Sequence, residues 1–172
     1  MHLRNFLAIS CFGALLCAPA FAASTLSKSD KAFLDMAART DMTEAHVGQM
    51  AEQQAAAPAV KDFARQLAQE HTQDYESLTE LAAKVGEEIP KGIDIRRDRS
   101  VAALAHLKGK TFDRRFLQDE IRDHERVLSE CKREAEHGEN VDVKTYATKV
   151  ASTLQEHLHK AEDLSKPAKH KS

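Results

Sequence analysis

Hydrophobic residues recur every three or four positions along four long segments of the chain, the spacing that places them on one face of a helix. The four hydrophobic stripes read Phe33, Ala37, Thr40, Glu44, Val47, Ala51; Val60, Phe63, Ala64, Leu67, His71, Tyr75, Leu78, Ala82, Val85; Leu117, Ile121, His124, Leu128, Cys131, Ala135; and Val143, Ala147, Val150, Leu154, His157, Ala161, Leu164. No stretch alternates in the manner of a β-strand. This pattern predicts an all-α, four-helix bundle.

Local signals mark where these helices begin and end. The expected helices run from Ser27 to about Gln54, from about Pro58 to Val85, from Thr111 to about His137, and from Asn140 through the fourth stripe. Ser27 and Asp30 form a capping-box pattern, Gly86 is a typical C-terminal stop, and Asn140 is a good N-cap. We expect Thr111 to cap the third helix.

The connection between the second and third helices is long, and Gly86, Pro90, Gly92 and Gly109 interrupt it. It contains a short apolar segment around Leu104 that is suited to a small extra helix. Such a connection can cross the length of a helix of roughly 40 Å. A crossover between the second and third helices is therefore feasible.

The N-terminus has the pattern of a secretory signal peptide. Arg4 precedes an apolar run of about 12 residues, and Ala20 and Ala22 provide the small residues before a cleavage site. The run is too short for a membrane span, which needs about 20 apolar residues. We predict a signal peptide over residues 1–22, a bundle domain over residues 23–165 and a disordered basic tail over residues 166–172. The mature chain is then exported and periplasmic, without a transmembrane segment.

Charge and cysteine content argue against a nucleic-acid-binding protein and against a disulfide-stabilised one. Arg4 is the one basic residue lost with residues 1–22, and no acid is lost, so 24 basic residues face 27 acidic residues in the mature chain. This balance gives no electrostatic reason to expect nucleic acid as a partner. Cys131 is alone in the mature chain, so no intramolecular disulfide can form, and we expect it to be a small buried hydrophobe.

One carboxylate and three imidazoles occupy the hydrophobic stripes. They belong to Glu44, His71, His124 and His157. If the connection is a crossover, the number of residues between each of them and the end of its helix places all four at similar depths in the bundle. Three imidazoles and one carboxylate suit zinc, and copper, iron or manganese can use the same set. A metal site and a purely hydrogen-bonded polar layer both remain open, because either supplies the partners that buried polar groups need.

Further acids lie near this layer. Asp41, Asp74 and Glu120 are one helical turn from it on the same faces, so they are candidates to orient the rings or to hold a second metal ion. The acids that immediately precede the three histidines can reach a neighbouring ring, but solvated flanking charges are the favoured interpretation; these acids are Glu70, Asp123 and Glu156. The off-stripe His46 and His159 are expected to be exposed.

The usual di-iron signature is missing. That site takes Glu-x-x-His from two helices, but the residues three positions before His71, His124 and His157 are apolar: Ala68, Ile121 and Leu154. No nucleophile motif or phosphate-binding glycine loop is present either, so we expect no organic cofactor. Whether the protein is an enzyme stays open.

Several short motifs together resemble the bacterial domain-of-unknown-function family 4142. They are Val60-Lys61-Asp62-Phe63-Ala64 leading to Glu70-His71, Leu107-Lys108-Gly109 with Phe112-Asp113 leading to Asp123-His124, and Glu156-His157-Leu158. The resemblance covers nearly the whole mature chain. It implies a ferritin-like bundle with the crossover in an exported protein, and it implies no activity or catalytic residues.

Two main hypotheses follow. The first is a periplasmic metal-binding bundle for metal handling or oxidative-stress defence, which would lose its metal as the histidines protonate. The second is a non-enzymatic envelope stress or interaction protein whose polar layer only sets the register of the bundle. A di-metal enzyme is a third hypothesis. The metal, substrate, protein partners and oligomeric state are left open.

Overall fold

The computed structural model describes residues 26–92 and 99–166. Within these residues the protein is all-α, with five helices and no strand. The helices are α1 (Lys28–Gln54), α2 (Pro58–Val85), the short α3 (Arg99–Ala105), α4 (Gly109–His137) and α5 (Val141–Ser165). The predicted signal peptide and residues 167–172 of the predicted tail lie outside the described residues.

The predicted caps of α1, α2 and α5 are present. Ser27 Oγ accepts the Asp30 N–H at 3.0 Å, and the Asp30 carboxylate accepts the Ser27 N–H at 3.3 Å, which completes the capping box. Gly86 ends α2 in the left-handed conformation, with φ of 72°. The Asn140 side chain accepts hydrogen bonds from the first turn of α5. These local interactions explain why the helix boundaries could be predicted.

The start of α4 differs from the prediction. The helix begins at Gly109, with Lys108 as its N-cap, so the exposed Thr111 lies inside the first turn. Gly109 has φ of 61°, a conformation that glycine adopts without strain, and it lets the chain turn into the helix early. Asp113 then accepts hydrogen bonds from the backbone of the α1–α2 turn, at 2.8 and 2.9 Å. A tertiary contact therefore replaces the expected local cap.

The long helices pack as two pairs, α1 with α2 and α4 with α5, and the pairs meet where α1 contacts α4 and α2 contacts α5. Gly48 allows α1 and α2 to approach closely, because a Cβ atom there would lie 2.7 Å from the Ala64 carbonyl oxygen. Asp30 also ties the start of α1 to the α4–α5 turn, since it accepts the backbone N–H groups of Glu139 and Asn140 at 3.0 and 3.3 Å.

Two hydrophobic clusters form the core. One includes Phe33, Leu78 and the predicted buried Cys131, and the other includes Phe63 and Phe116.

In α1, α2 and α4 the residue of the predicted polar layer lies between the segments that supply these two clusters. In α5, His157 lies between Leu154 and Leu158 of the first cluster, before Ala161 of the second. Apolar side chains of both clusters therefore pack next to the layer. None of the described helices combines the length and the apolar character that crossing a membrane requires.

Candidate metal centre

Three histidine rings from three helices meet in the bundle interior. His71 of α2, His124 of α4 and His157 of α5 are each no more than 2% exposed. Their ring centroids are 5.3 to 5.7 Å apart. One nitrogen of each ring lies within 4.8 Å of the corresponding nitrogen of the other two. The rings are thus close enough to share one ion.

The outward nitrogens of His124 and His157 are each engaged by an acceptor. His124 Nδ1 lies 3.0 Å from the Glu120 backbone carbonyl oxygen, which can only accept, so His124 donates there. His157 Nε2 lies 2.5 Å from Glu70 Oε2 and donates its hydrogen to that carboxylate. A neutral imidazole carries one N–H, so His124 Nε2 and His157 Nδ1 are left with free lone pairs.

His71 follows the same arrangement. Its Nδ1 lies 3.0 Å from Asp41 Oδ1, and the Tyr146 hydroxyl lies 3.4 Å from the other Asp41 oxygen. Burial, and then the charge of His157, lower the pKa of His71 to about 3. Burial raises the pKa of Asp41 to about 8, although the Tyr146 hydrogen bond opposes the rise. Burial thus disfavours the charged form of both groups.

The other nitrogen of each ring, called inward here, is His71 Nε2, His124 Nε2 or His157 Nδ1. These three atoms lack the hydrogens that they would need to bond to one another. His71 Nε2 is buried and has no hydrogen-bond partner. His124 Nε2 and His157 Nδ1 are 3.2 Å apart. Two ligand nitrogens of a tetrahedral zinc ion, each about 2.05 Å from the metal, are about 3.3 Å apart. The observed spacing therefore fits two ligands of one metal ion, and burial lowers the pKa of His124 well below its ordinary value, which keeps that ring in the ligating form.

Glu44, expected with the three rings, groups instead with Glu120 and His124, with ligand atoms within 4.8 Å of one another. Burial first, and the charges of Asp123 and Asp41, raise the pKa of Glu44 to about 7, although a hydrogen bond with Glu120 opposes the rise. Burial and then the charge of Glu44 raise the pKa of Glu120 well above its ordinary value. Glu44 as a ligand of the histidine centre stays a prediction.

The remaining candidates have different roles. Asp41 is the acceptor for His71, one of the two roles expected of it. Asp74 is buried and belongs to neither group of ligand atoms; burial, and then the charge of Asp41, raise its pKa to about 6. The backbone oxygen of Asp74 lies 3.3 Å from the Tyr146 hydroxyl. Tyr146 was not singled out from the sequence, because a tyrosine on an amphipathic helix looks like an ordinary core residue.

Glu70 adopts the less favoured of its two expected roles, contact with a neighbouring ring. Its side chain is 35% exposed, and it reaches His157 because α2 packs against α5. Its position next to His71 in the sequence indicated that it lies near the histidines. Only the packing of α2 against α5 shows that it contacts the ring of His157. Glu156 is exposed, as expected, and Asp123 pairs with Arg122 at 3.0 Å near the surface. The off-stripe histidines are also exposed, as expected; they are His46 and His159.

Solved structures with a similar fold support the bundle architecture. A fragment of a DUF305 protein from Deinococcus radiodurans matches with a TM-score of 0.71 at 13% identity, over 81% of this chain and 97% of that one. A putative secreted DUF305 protein from Streptomyces coelicolor matches with a TM-score of 0.67 at 15% identity, over 79% and 91%. CopM in a silver-bound form matches with a TM-score of 0.63 at 18% identity, over 78% and 93%. At these identities the similarity establishes the fold alone.

The sequence comparisons identify a family without an assigned activity. No curated protein shows significant sequence similarity to the chain. The family described as "Domain of unknown function (DUF4142)" matches residues 16–164, which is most of the chain. This confirms the resemblance drawn from the motifs around the three histidines: the protein belongs to the DUF4142 family.

Proposed function

We propose that this protein is an exported metal-binding protein that holds one metal ion between the inward nitrogens of His71, His124 and His157. The observation that carries the proposal is the hydrogen bonding of the three rings. The outward nitrogen of each ring already faces an acceptor. The inward nitrogen of each ring is therefore available to bind one shared ion. Metal-ligating histidines in proteins have this arrangement, in which a carboxylate or carbonyl orients the ring from outside.

Electrostatics favour a cation at this point. Two imidazole lone pairs that face each other at 3.2 Å repel unless a proton or a metal ion lies between them. The third nitrogen, His71 Nε2, is buried without a partner, which costs about 1–3 kcal/mol in the absence of a ligand. A metal ion would satisfy all three nitrogens at once, whereas a single proton satisfies two.

The donor atoms indicate the class of metal. Imidazole suits zinc and copper well, and nickel and iron also accept it. Zinc is our first candidate because three histidines with an open fourth position are a common zinc site. Copper is the second candidate, and the silver-bound form of the fold neighbour CopM makes Ag⁺ a useful additional probe. Iron and manganese complete the series to test.

The test is metal content measured by mass spectrometry on untagged mature protein, with His157→Ala compared against His159→Ala. His159 lies on the same helix two residues away but is exposed, so it controls for the loss of an imidazole. We expect about one ion per chain in the wild type and in His159→Ala, and a loss of affinity of about 100-fold or more in His157→Ala. Equal metal content in the two variants, or none in the wild type after exposure to each metal, would exclude the centre.

A second candidate function has its own supporting observation. The distance of 3.2 Å between His124 Nε2 and His157 Nδ1 also suits a hydrogen bond, if one ring carries an extra proton that Glu70 helps to stabilise. The layer would then be structural, in a non-enzymatic envelope stress or interaction protein. Under this alternative, wild-type protein binds no metal, and His157→Ala changes only the free energy of unfolding.

We further propose that the bundle is ferritin-like, with a crossover between α2 and α4 that makes these two helices parallel. Asp113, near the start of α4, bonds to the turn that precedes α2, which supports this arrangement. Spin labels at Lys61 and Arg114 should then be closer to each other than labels at Lys84 and Arg114. The opposite order would exclude the crossover.

Export is also part of the proposal. It rests on the signal-peptide pattern in residues 1–22, and we expect cleavage between Ala22 and Ala23. Mass spectrometry of the protein from a periplasmic fraction should find Ala23 at the N-terminus. Protein that keeps Met1 and stays in the cytoplasmic fraction would contradict export.

A further inference from the structure

Two buried glutamates lie beside the three histidines, and the proposed function does not use them. Glu44 of α1 is 8% exposed, and Glu120 of α4 is 3% exposed. Their carboxyl oxygens and a nitrogen of His124 all lie within 4.8 Å of one another. Two carboxyl groups in this position are costly unless a proton or a cation is shared between them.

Within residues 26–92 and 99–166, no Lys or Arg donates a hydrogen bond to Glu44 or Glu120. The charge of Arg126 lowers the pKa of Glu44, but burial outweighs it. Glu120 Oε2 is buried and has no hydrogen-bond partner, although it lies 3.4 Å from His124 Nδ1. That nitrogen already donates to the Glu120 carbonyl oxygen. A carboxylate oxygen is therefore free on the side where the two glutamates and His124 meet.

Space is available next to these oxygens. A cavity of about 30 Å³ lies beneath α3 and is lined by Glu44 and Glu120 together with Val101 and Leu104. This volume is close to that of one water molecule. Glu44 also lines a surface pocket of about 400 Å³, whose walls include the acids Asp35 and Asp123 and three arginines. The small cavity therefore leaves room for a water ligand beside the two glutamates.

We propose that Glu44 and Glu120 hold a second cation, of the oxygen-preferring divalent class to which Mn²⁺ and Fe²⁺ belong. Carboxylate and water ligands suit these ions, whereas three imidazoles suit zinc or copper. His124 lies between the two positions. Its Nε2 belongs to the histidine centre, and its Nδ1 keeps its hydrogen, which it donates to the Glu120 carbonyl oxygen. The two positions therefore differ in donor atoms and are expected to select different metals.

The test is a Mn²⁺ titration of zinc-equilibrated protein, followed by electron paramagnetic resonance. Hydrated Mn²⁺ gives a sharp six-line signal that weakens on binding, so the bound fraction is read directly. We expect about one Mn²⁺ per wild-type chain. Glu44→Gln and Glu120→Gln should each weaken Mn²⁺ binding about tenfold or more while zinc stays bound. Glu156→Gln, which removes an exposed carboxylate beside His157, is the matched control and should behave as wild type.

The outcomes separate this site from the histidine centre. Zinc binding without Mn²⁺ binding, or Mn²⁺ binding that persists in both Gln variants, overturns the second site and leaves the proposed function standing. Mn²⁺ binding without zinc binding supports the second site and counts against the histidine centre. A measurement on wild-type protein serves if the variants fail to fold: bound Mn²⁺ should broaden the NMR signals of the His124 ring and spare those of His159. Equal broadening of both rings would also overturn the assignment.

Discussion

Glu134 offers a sharp test of the electrostatics of this bundle, away from the histidine centre. It is fully buried near the end of α4, where Ser29 Oγ donates to its Oε2 at 3.4 Å. Burial first, and then the hydrogen bond and charge of Asp30, raise the pKa of Glu134 to about 7. Burial opposes ionisation of Asp30, but hydrogen bonds from Glu134, Ser27 and Glu139 outweigh it and lower the Asp30 pKa. Near pH 6 the pair is thus a carboxylic acid beside a carboxylate.

The sign of the pH effect follows from linkage. The folded pKa of Glu134 is above its ordinary value of 4.5, so the folded state holds the proton more tightly than the unfolded state. The resulting stability is fully present below pH 4.5 and is lost as the pH rises through about 7. Each pKa unit corresponds to 1.36 kcal/mol, so the loss has an upper limit of about 3 kcal/mol. Since charges in proteins interact as if the effective dielectric constant were about 20, we expect a smaller loss of about 1–2 kcal/mol.

The perturbation is Glu134→Gln, which keeps a donor for Asp30 but cannot ionise. At pH 4.5 the variant and the wild type should have similar free energies of unfolding. At pH 8 the variant should be more stable by about 1–2 kcal/mol, because it escapes the cost of a buried carboxylate. Urea denaturation followed by circular dichroism measures both values. The other titrating groups are common to both proteins, so they cancel in the difference.

The control is Glu136→Gln, which removes an exposed carboxylate from the same helix. Its difference from the wild type should be within about 0.5 kcal/mol at both pH values. The reasoning is refuted if the advantage of Glu134→Gln does not grow between pH 4.5 and pH 8, or if Glu136→Gln shows the same growth.

Two further predictions concern the centre and the helix packing. Asp41→Ala removes the acceptor that orients His71, so metal affinity in a competition titration should fall about 10- to 100-fold; unchanged affinity would mean that Asp41 does not position the ring. Gly48→Ala would place a methyl group 2.7 Å from the Ala64 oxygen and should cost about 1–3 kcal/mol in urea denaturation, whereas Gly92→Ala meets nothing within 4 Å and should cost little. Equal losses in the two glycine variants would contradict the close approach of α1 and α2.

Much of the fold could be predicted because its signals are local. The spacing of apolar residues placed His71, His124 and His157 on buried faces, and all three are buried. The caps at Ser27 and Asn140 depend on residues two or three positions away, so they too were readable. The start of α4 could not be predicted from local signals. The interaction that anchors its first turn comes from a turn more than 50 residues earlier in the chain.

The sequence by itself determined which face of each helix points into the bundle, and so which residues could meet there. Only the tertiary structure decided which of them do meet: Glu70 reaches the ring on another helix, and Glu44 joins Glu120. The physical reason is one of scale. The helical period is set within a few residues, whereas a hydrogen bond requires its atoms within about 3.5 Å. The axial offset and rotation of packed helices change distances by more than that, and no local pattern encodes them.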